Sequence, residues 1–238
     1  MPSFPGSRTL QRAWPTGVTI RRLPGSEDPK QIVARGYDAI AVRYAEWKDA
    51  SGWPTMRWLR ELLERLPDGA RVLELGCGRG VPATREIAKR HQVVGVDISS
   101  SQIALARHHV PEATLVHADV MDLELPPESY DAIVSFYMFG HIPPAEQREL
   151  VERIAAWLRP GGWLLTTMGA DEDVPEMVED DWLGAPMYFA GVGRETSLGV
   201  LGGAGFDVLR SEVVPQVEHG EEVPFLWVLA RKPERRPA

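Results

Sequence analysis

The sequence predicts an α/β fold built on a doubly wound parallel sheet, and three observations carry that prediction. From residue 69 onward, short apolar runs alternate with helical segments. A glycine-rich turn, Gly76-Cys77-Gly78-Arg79-Gly80, closes the first of those runs. The chain, 238 residues long and 44% hydrophobic, is sized for one sheet-centred core with a small attachment. Strands alternating with helices at this spacing form parallel βαβ units, each crossover covering a face of the sheet.

Residues 1–30 are rich in Pro, Gly, Ser and Arg without a sustained period, and are expected to be a flexible segment with little to bury. From Gln31 to Asp49, Ile32, Tyr37, Ile40, Ala41, Tyr44 and Trp47 recur at three and four, the mark of an amphipathic helix. A second helix is expected from Trp53 to Leu66, with Pro54 in its first turn, where a missing N–H costs nothing. Together they make a helical cap over 31–68, ahead of a main domain over 69–232. Strands are expected at Arg71–Leu75, Val93–Val96, Thr114–Val116, Ala132–Phe136 and Trp163–Met168, and helices at Pro82–Arg90, Ser99–His108 and Pro144–Leu158.

Beyond Met168 the alternation stops. The acidic stretch Ala170–Asp181 and the aromatic segment Trp182–Gly193 are too long for a simple connection, so 170–193 is expected to be an inserted lid outside the sheet. Glu172, Asp173, Glu176, Glu179, Asp180 and Asp181 show no metal-ligand spacing and read as a solvated face. A helix over Glu195–Gly202 stops at Gly202-Gly203-Ala204-Gly205. Two long strands, Phe206–Val217 and Val223–Arg231, turn at His219-Gly220 and lead into a basic tail, 233–238.

No run of about 18 uncharged apolar residues exists, so no membrane-spanning helix is expected. The lone Cys77 excludes an intramolecular disulfide and the multi-cysteine zinc sites, and a cytoplasmic chain with no bound metal is expected. Charge is uneven: residues 1–36 carry +4 and 231–238 carry +3, so the body between them holds −15 of a chain total of −8. Such a body repels a phosphate backbone, and no nucleic-acid partner is expected.

In an open α/β sheet, ligands sit at the carboxyl ends of the strands, and a glycine turn there lets a ligand approach the backbone closely. Asp97, following Val94-Gly95-Val96, can accept both hydroxyls of a ribose. Asp119 and the Val120 N–H, at the next strand tip, can meet the amino group and ring nitrogen of adenine. With Glu74 these carboxylates are expected to make the cleft negative. The spacing G-x-G-x-G, rather than G-x-G-x-x-G, and Glu74 just upstream disfavour a pyrophosphate, which counts against an NAD(P)-dependent oxidoreductase, the alternative reading. A cationic nucleoside fits such a cleft better.

Val72–Gly80, Val96-Asp97, Ala118-Asp119-Val120, Tyr130–Ser135 and Leu158-Arg159-Pro160-Gly161-Gly162 stand in the order of one known family. In these motifs the sequence resembles the class I S-adenosylmethionine-dependent methyltransferases over roughly 31–232. It is most similar to small bacterial small-molecule methyltransferases whose cap carries the element found here as Tyr37-Asp38 and Tyr44-Ala45-Glu46-Trp47. The resemblance implies a seven-stranded Rossmann-like sheet of order 3-2-1-4-5-7-6 with one antiparallel strand, and S-adenosylmethionine as cofactor. It places the methionine moiety over Gly76, Cys77, Gly78 and Gly80, beside Glu74. Asp97 would hold the ribose, with Gln102 near it; Ile98 would pack on adenine, and Ala118, Asp119 and Val120 would read its edge. Ser135 and Phe136 would face the sulfonium and amino group, and Tyr37 and Tyr44 the carboxylate end.

The implied activity is methyl transfer to the O, N or C of a small metabolite, by a monomer or homodimer; a non-catalytic S-adenosylmethionine-binding module is a further alternative. Methyl transfer is an in-line displacement that depends chiefly on alignment, so a base is optional. His141 is the one histidine at a strand tip near the cleft and is the candidate base, or else a helix-entry residue bonding locally. Tyr137, Trp182, Met187, Tyr188 and Phe189 are candidates for an apolar wall against a flat acceptor.

Overall fold

The computed structural model describes residues 20–21, 27–50, 52–170, 173–218 and 221–235. The expected turn at His219-Gly220, Glu172, most of the 1–30 segment and the last three residues of the basic tail lie outside the described residues. The elements in order are β1 (Ile20–Arg21), α1 (Pro29–Ala50), α2 (Thr55–Leu63), β2 (Arg71–Leu75), α3 (Ala83–Ala88), β3 (Gln92–Asp97), α4 (Ser100–His109), β4 (Thr114–His117), β5 (Tyr130–Ser135), α5 (Pro144–Trp157), β6 (Leu158–Gly169), β7 (Val174–Trp182), β8 (Ala185–Gly191), α6 (Arg194–Gly203), β9 (Asp207–Glu218) and β10 (Glu221–Arg231).

The main sheet has seven strands in the order β4-β3-β2-β5-β6-β10-β9. Its first five are parallel, and β10 runs antiparallel to both β6 and β9. This is the expected order 3-2-1-4-5-7-6. Both faces are covered, and the period of two along each strand divides the core between them. Leu73, Leu75, Ile133, Leu226 and Val228 face Leu150, Ile154 and Trp157 of α5 and Leu201 of α6. Val72, Val134, Leu165, Trp227 and Leu229 face Trp58, Leu59 and Leu62 of α2 and Ile87 of α3.

The inserted segment forms a β-hairpin outside the main sheet. β7 and β8 pair antiparallel through a two-residue turn, Leu183-Gly184, with both residues at positive φ, and β1 adds a third strand by pairing with Val178 and Glu179 of β7. A two-residue strand therefore falls inside the segment expected to be loose. Asp and Glu disfavour strands, which hid β7; Glu176 and Asp181 face solvent, but Glu179, expected on a solvated face, is buried with Met177, Val178 and Trp182, and burial raises its pKa.

The helices expected together as a cap pack on different layers. α2 lies on the main sheet. α1 lies on the small sheet, its Ile32, Val33 and Ile40 against Val178, Trp182, Met187 and Tyr188. Gly36 makes this close approach possible, since a Cβ there would stand 2.7 Å from the Pro186 carbonyl oxygen. No helix among the described residues is long and apolar enough to cross a membrane.

Candidate active site

A cleft of about 710 Å³, open to solvent, lies at the carboxyl ends of β2–β5, with α1 as its roof. Lys30, Val33, Tyr37, Tyr44 and Lys48 line it from α1, at spacings of three, four, seven and four that keep them on one helical face. Opposite them stand Gly76, Gly78, Asp97, Ile98, Gln102, Asp119 and Val120, followed by Phe136, Tyr137, Met138, His141 and Ile142 after β5.

The glycine turn is tightly bonded within itself. Gly76, at φ +73°, has Met138 so close that a Cβ would stand 3.1 Å from the Met138 Cβ. The Gly76 and Cys77 N–H groups donate to the Val96 carbonyl at 2.8 and 2.9 Å, Gly78 N–H to Asp97 Oδ2 at 2.8 Å, and Gly80 N–H to the Cys77 carbonyl at 3.1 Å. These four donors are spent within the protein. A pyrophosphate needs free ones, so the turn is not built to receive it.

Asp97 is buried, and each of its oxygens accepts one backbone N–H, Oδ2 from Gly78 and Oδ1 from Ser99 at 2.9 Å. Burial pushes its pKa up, against these two donors. Each oxygen keeps a lone pair for a further donor, a pattern that suits a vicinal diol. Gln102 is 1% exposed and lines the cleft with neither amide atom hydrogen-bonded. A buried amide without partners is costly in a native protein and asks for a polar ligand.

Asp119 accepts the Met121 N–H at 2.9 Å through Oδ1, and its Oδ2 lies 3.0 Å from the Lys30 ammonium, which also stands 3.2 Å from Glu146. Asp38 of α1 accepts the Ser99 hydroxyl at 2.6 Å and the Ser101 N–H at 2.9 Å, tying the roof to the start of α4. Burial opposes its ionisation, but these donors hold its carboxyl below the usual range.

His141 joins roof and floor. Its Nδ1 lies 2.8 Å from the Tyr188 carbonyl, which can only accept, so Nδ1 carries the proton. Nε2 is then a lone pair accepting the Tyr37 hydroxyl at 2.9 Å. Burial pushes the imidazole pKa down to about 4, with the Tyr188 carbonyl opposing, so the ring is neutral near pH 7.

Residues 72–162 match the family described as a methyltransferase domain. A curated relative, 27-O-demethylrifamycin SV methyltransferase of Amycolatopsis mediterranei, is 30% identical over 154 residues, 56% of each chain. Another, tRNA (carboxymethyluridine(34)-5-O)-methyltransferase of Arabidopsis thaliana, is 29% identical over 165 residues, 69% of this chain and 38% of its own. The chain thus spans less than two thirds of either relative. Among solved structures, the Burkholderia thailandensis 1,6-didemethyltoxoflavin-N1-methyltransferase, bound to 1,6-didemethyltoxoflavin and S-adenosylhomocysteine, superposes with a TM-score of 0.71 at 20% identity, covering 91% of this chain and 95% of that one. Residues 72–162 thus match a methyltransferase domain, and the fold is one shared with solved methyltransferases.

The cleft gathers most, but not all, of the residues expected in it. Tyr37, Tyr44, Gly76, Gly78, Asp97, Ile98, Gln102, Asp119, Val120, Phe136, Tyr137 and His141 line it. Glu74, Cys77, Gly80, Ala118 and Ser135 stand behind that lining. Glu74 is 3% exposed, accepts the Thr84 hydroxyl at 2.6 Å, and is pushed up to about 7 by burial. Cys77 is buried, with its Sγ against Gly95. Gly80 packs on Ala106 and Val110, Ala118 donates its N–H to the Asp97 carbonyl at 3.0 Å, and the Ser135 side chain is fully buried.

The expectation of a negative cleft is therefore corrected. Only two of the three acidic tips reach it, and two lysines from α1 face them. The wall expected from the lid is corrected too: Trp182, Met187 and Tyr188 are buried in the packing between α1 and the small sheet, and Phe189 lies behind His141, its ring centroid 5.1 Å away. Sequence reasoning missed Lys30, left in the segment expected to be loose just before the helix, and Lys48, on a helix read for its apolar stripe, and it noted Asp38 only as part of the Tyr37-Asp38 element. No group of three or more His, Cys, Asp or Glu able to hold a metal occurs among the described residues.

Proposed function

We propose that this protein transfers the methyl group of S-adenosylmethionine to an oxygen, nitrogen or carbon of a small, largely apolar metabolite. The observation that carries the reading is the pairing of Asp97, with two free lone pairs, and the unbonded Gln102 amide on one cleft wall, beside a turn with four of its N–H groups spent. Such a wall suits the ribose and base of a nucleoside, and its turn offers a pyrophosphate little backbone to hold it. In this reading Asp97 holds the ribose hydroxyls, Ile98 and Val120 flank adenine, Asp119 reads its edge, and Gly76 and Gly78 let the sulfur-bearing chain lie against the backbone. When bound, S-adenosylmethionine supplies an electrophilic methyl on a sulfonium.

The chain's own part in the reaction is to align the acceptor and exclude water. Phe136, Tyr137, Met138 and Ile142 supply an aromatic and aliphatic surface for it. His141 is ill-suited to be a direct base, because its Nε2 already accepts the Tyr37 hydroxyl and its pKa is low. We assign it instead to positioning Tyr37. The −15 body and the shape of the cleft favour a small acceptor over a nucleic acid, and we place the protein in the cytoplasm as a monomer or homodimer.

Two measurements test this. Thermal unfolding with S-adenosylhomocysteine or NADH should show a clear shift with the first alone, about 2.7 kcal/mol at a hundred times its Kd. A larger shift with NADH refutes the reading. Incubation with methyl-labelled cofactor and a metabolite extract should yield a labelled small molecule; retention of all label in the cofactor would leave a binding module.

A further inference from the structure

We infer that Lys48 is the anchor for the α-carboxylate of the S-adenosyl cofactor, an assignment that rests on the cofactor reading above. Two lysines line the cleft, and they differ in their company. Lys30 is paired, 3.0 Å from Asp119 and 3.2 Å from Glu146. Lys48 has no carboxylate within salt-bridge reach among the described residues. Its ammonium stands instead over three rings, 5.6 Å from Tyr44, 5.5 Å from Trp53 and 5.7 Å from Tyr137. Ring faces attract a cation but leave its three N–H donors without strong acceptors, so an anion entering the cleft finds them available. Burial already depresses the ammonium, and Glu74 and Asp97 support its charge from a distance.

The tyrosines expected at this position cannot do the same work. The Tyr37 proton is committed to His141, whose tautomer is fixed by the Tyr188 carbonyl. Tyr44 meets the Tyr37 ring edge to face, centroids 5.1 Å apart, and burial raises its pKa, so it faces the cleft as a neutral phenol. The Tyr37 proton is thus not free for a carboxylate, and a neutral Tyr44 hydroxyl would hold one less strongly than an ammonium does. Position agrees as well. Lys30 stands at Asp119, where adenine is read, while Lys48 faces the side of the cleft towards Glu74 and the glycine turn.

Calorimetric titration with S-adenosylhomocysteine and with 5′-methylthioadenosine, which shares the nucleoside but has no amino-acid tail, tests the assignment. Lys48→Met should weaken S-adenosylhomocysteine by roughly ten- to a hundred-fold, the loss of a charge-assisted bond, and leave methylthioadenosine within about two-fold of the wild type. Lys48→Arg should restore most of the lost affinity. An unchanged affinity for S-adenosylhomocysteine in Lys48→Met overturns the assignment, and so does an equal loss for both ligands, which would mark Lys48 as structural. If the wild type binds neither ligand, the cofactor reading fails first and takes this one with it.

Discussion

Glu74→Gln is expected to remove a pH-dependent penalty from the native state. Glu74 is buried beneath the glycine turn with the Thr84 hydroxyl as its hydrogen-bond donor, and burial raises its pKa from the ordinary 4.5 to about 7. A carboxyl raised in the folded state binds its proton more tightly there than in the unfolded chain. Folding is therefore penalised as pH rises past 4.5, and the penalty levels off above 7. A shift of this size corresponds to about 3 kcal/mol, of which about 2.5 kcal/mol develops between pH 5 and pH 8. Glutamine keeps an oxygen for the Thr84 hydroxyl and never ionises. Urea denaturation of both proteins at several pH values isolates the effect, because every other titrating group cancels in the difference. The variant should gain on the wild type by about 2.5 kcal/mol between pH 5 and pH 8. Parallel stability curves would show that Glu74 titrates as it does in water, and the argument from burial would fail.

Asp97→Ala should weaken S-adenosylhomocysteine by about 1–3 kcal/mol in calorimetry, the cost of charged hydrogen bonds to the ribose, and an unaltered Kd would remove Asp97 from that role. Once an acceptor is in hand, Tyr37→Phe and His141→Ala should each lower turnover, and the double variant should lose much less than the two losses combined, since they break one chain of hydrogen bonds; additive losses would separate the two residues. Trp182→Ala should destabilise the fold by about 3–5 kcal/mol in urea melts while leaving the acceptor KM near its wild-type value, and a selective rise in KM would return this residue to the acceptor wall.

The main sheet was legible because its signals are local. Arg71–Leu75 falls on β2 to the residue, and the other strands and helices of the domain differ mostly by one or two residues at their ends, with β6 beginning earlier, at Leu158. The strand-tip carboxylates Asp97 and Asp119 were legible for the same reason: the end of an apolar run fixes where the next polar residue points. What failed was long-range. Nothing near Glu176 or Glu179 announces a strand, and only pairing with β8 makes one. The charge of the cleft was misjudged because the carboxylates were counted from the sheet, while Lys30 and Lys48 arrive from a helix more than twenty residues upstream of the glycine turn. His141 was found by its position after β5. The carbonyl that fixes its tautomer lies 47 residues further on and could not have been read from the chain.

The way α1 is held has a mechanical consequence. Its oily side belongs to the small sheet, so helix and hairpin travel as one piece, while the seams joining that piece to the strand-tip loops include Asp38 with the serines of α4, Lys30 with Asp119 and Glu146, and Asp49 with Arg79. Such seams weaken as dissolved ions accumulate, whereas an apolar seam would tighten. Rising ionic strength is therefore expected to loosen the hold of the strand-tip loops on α1.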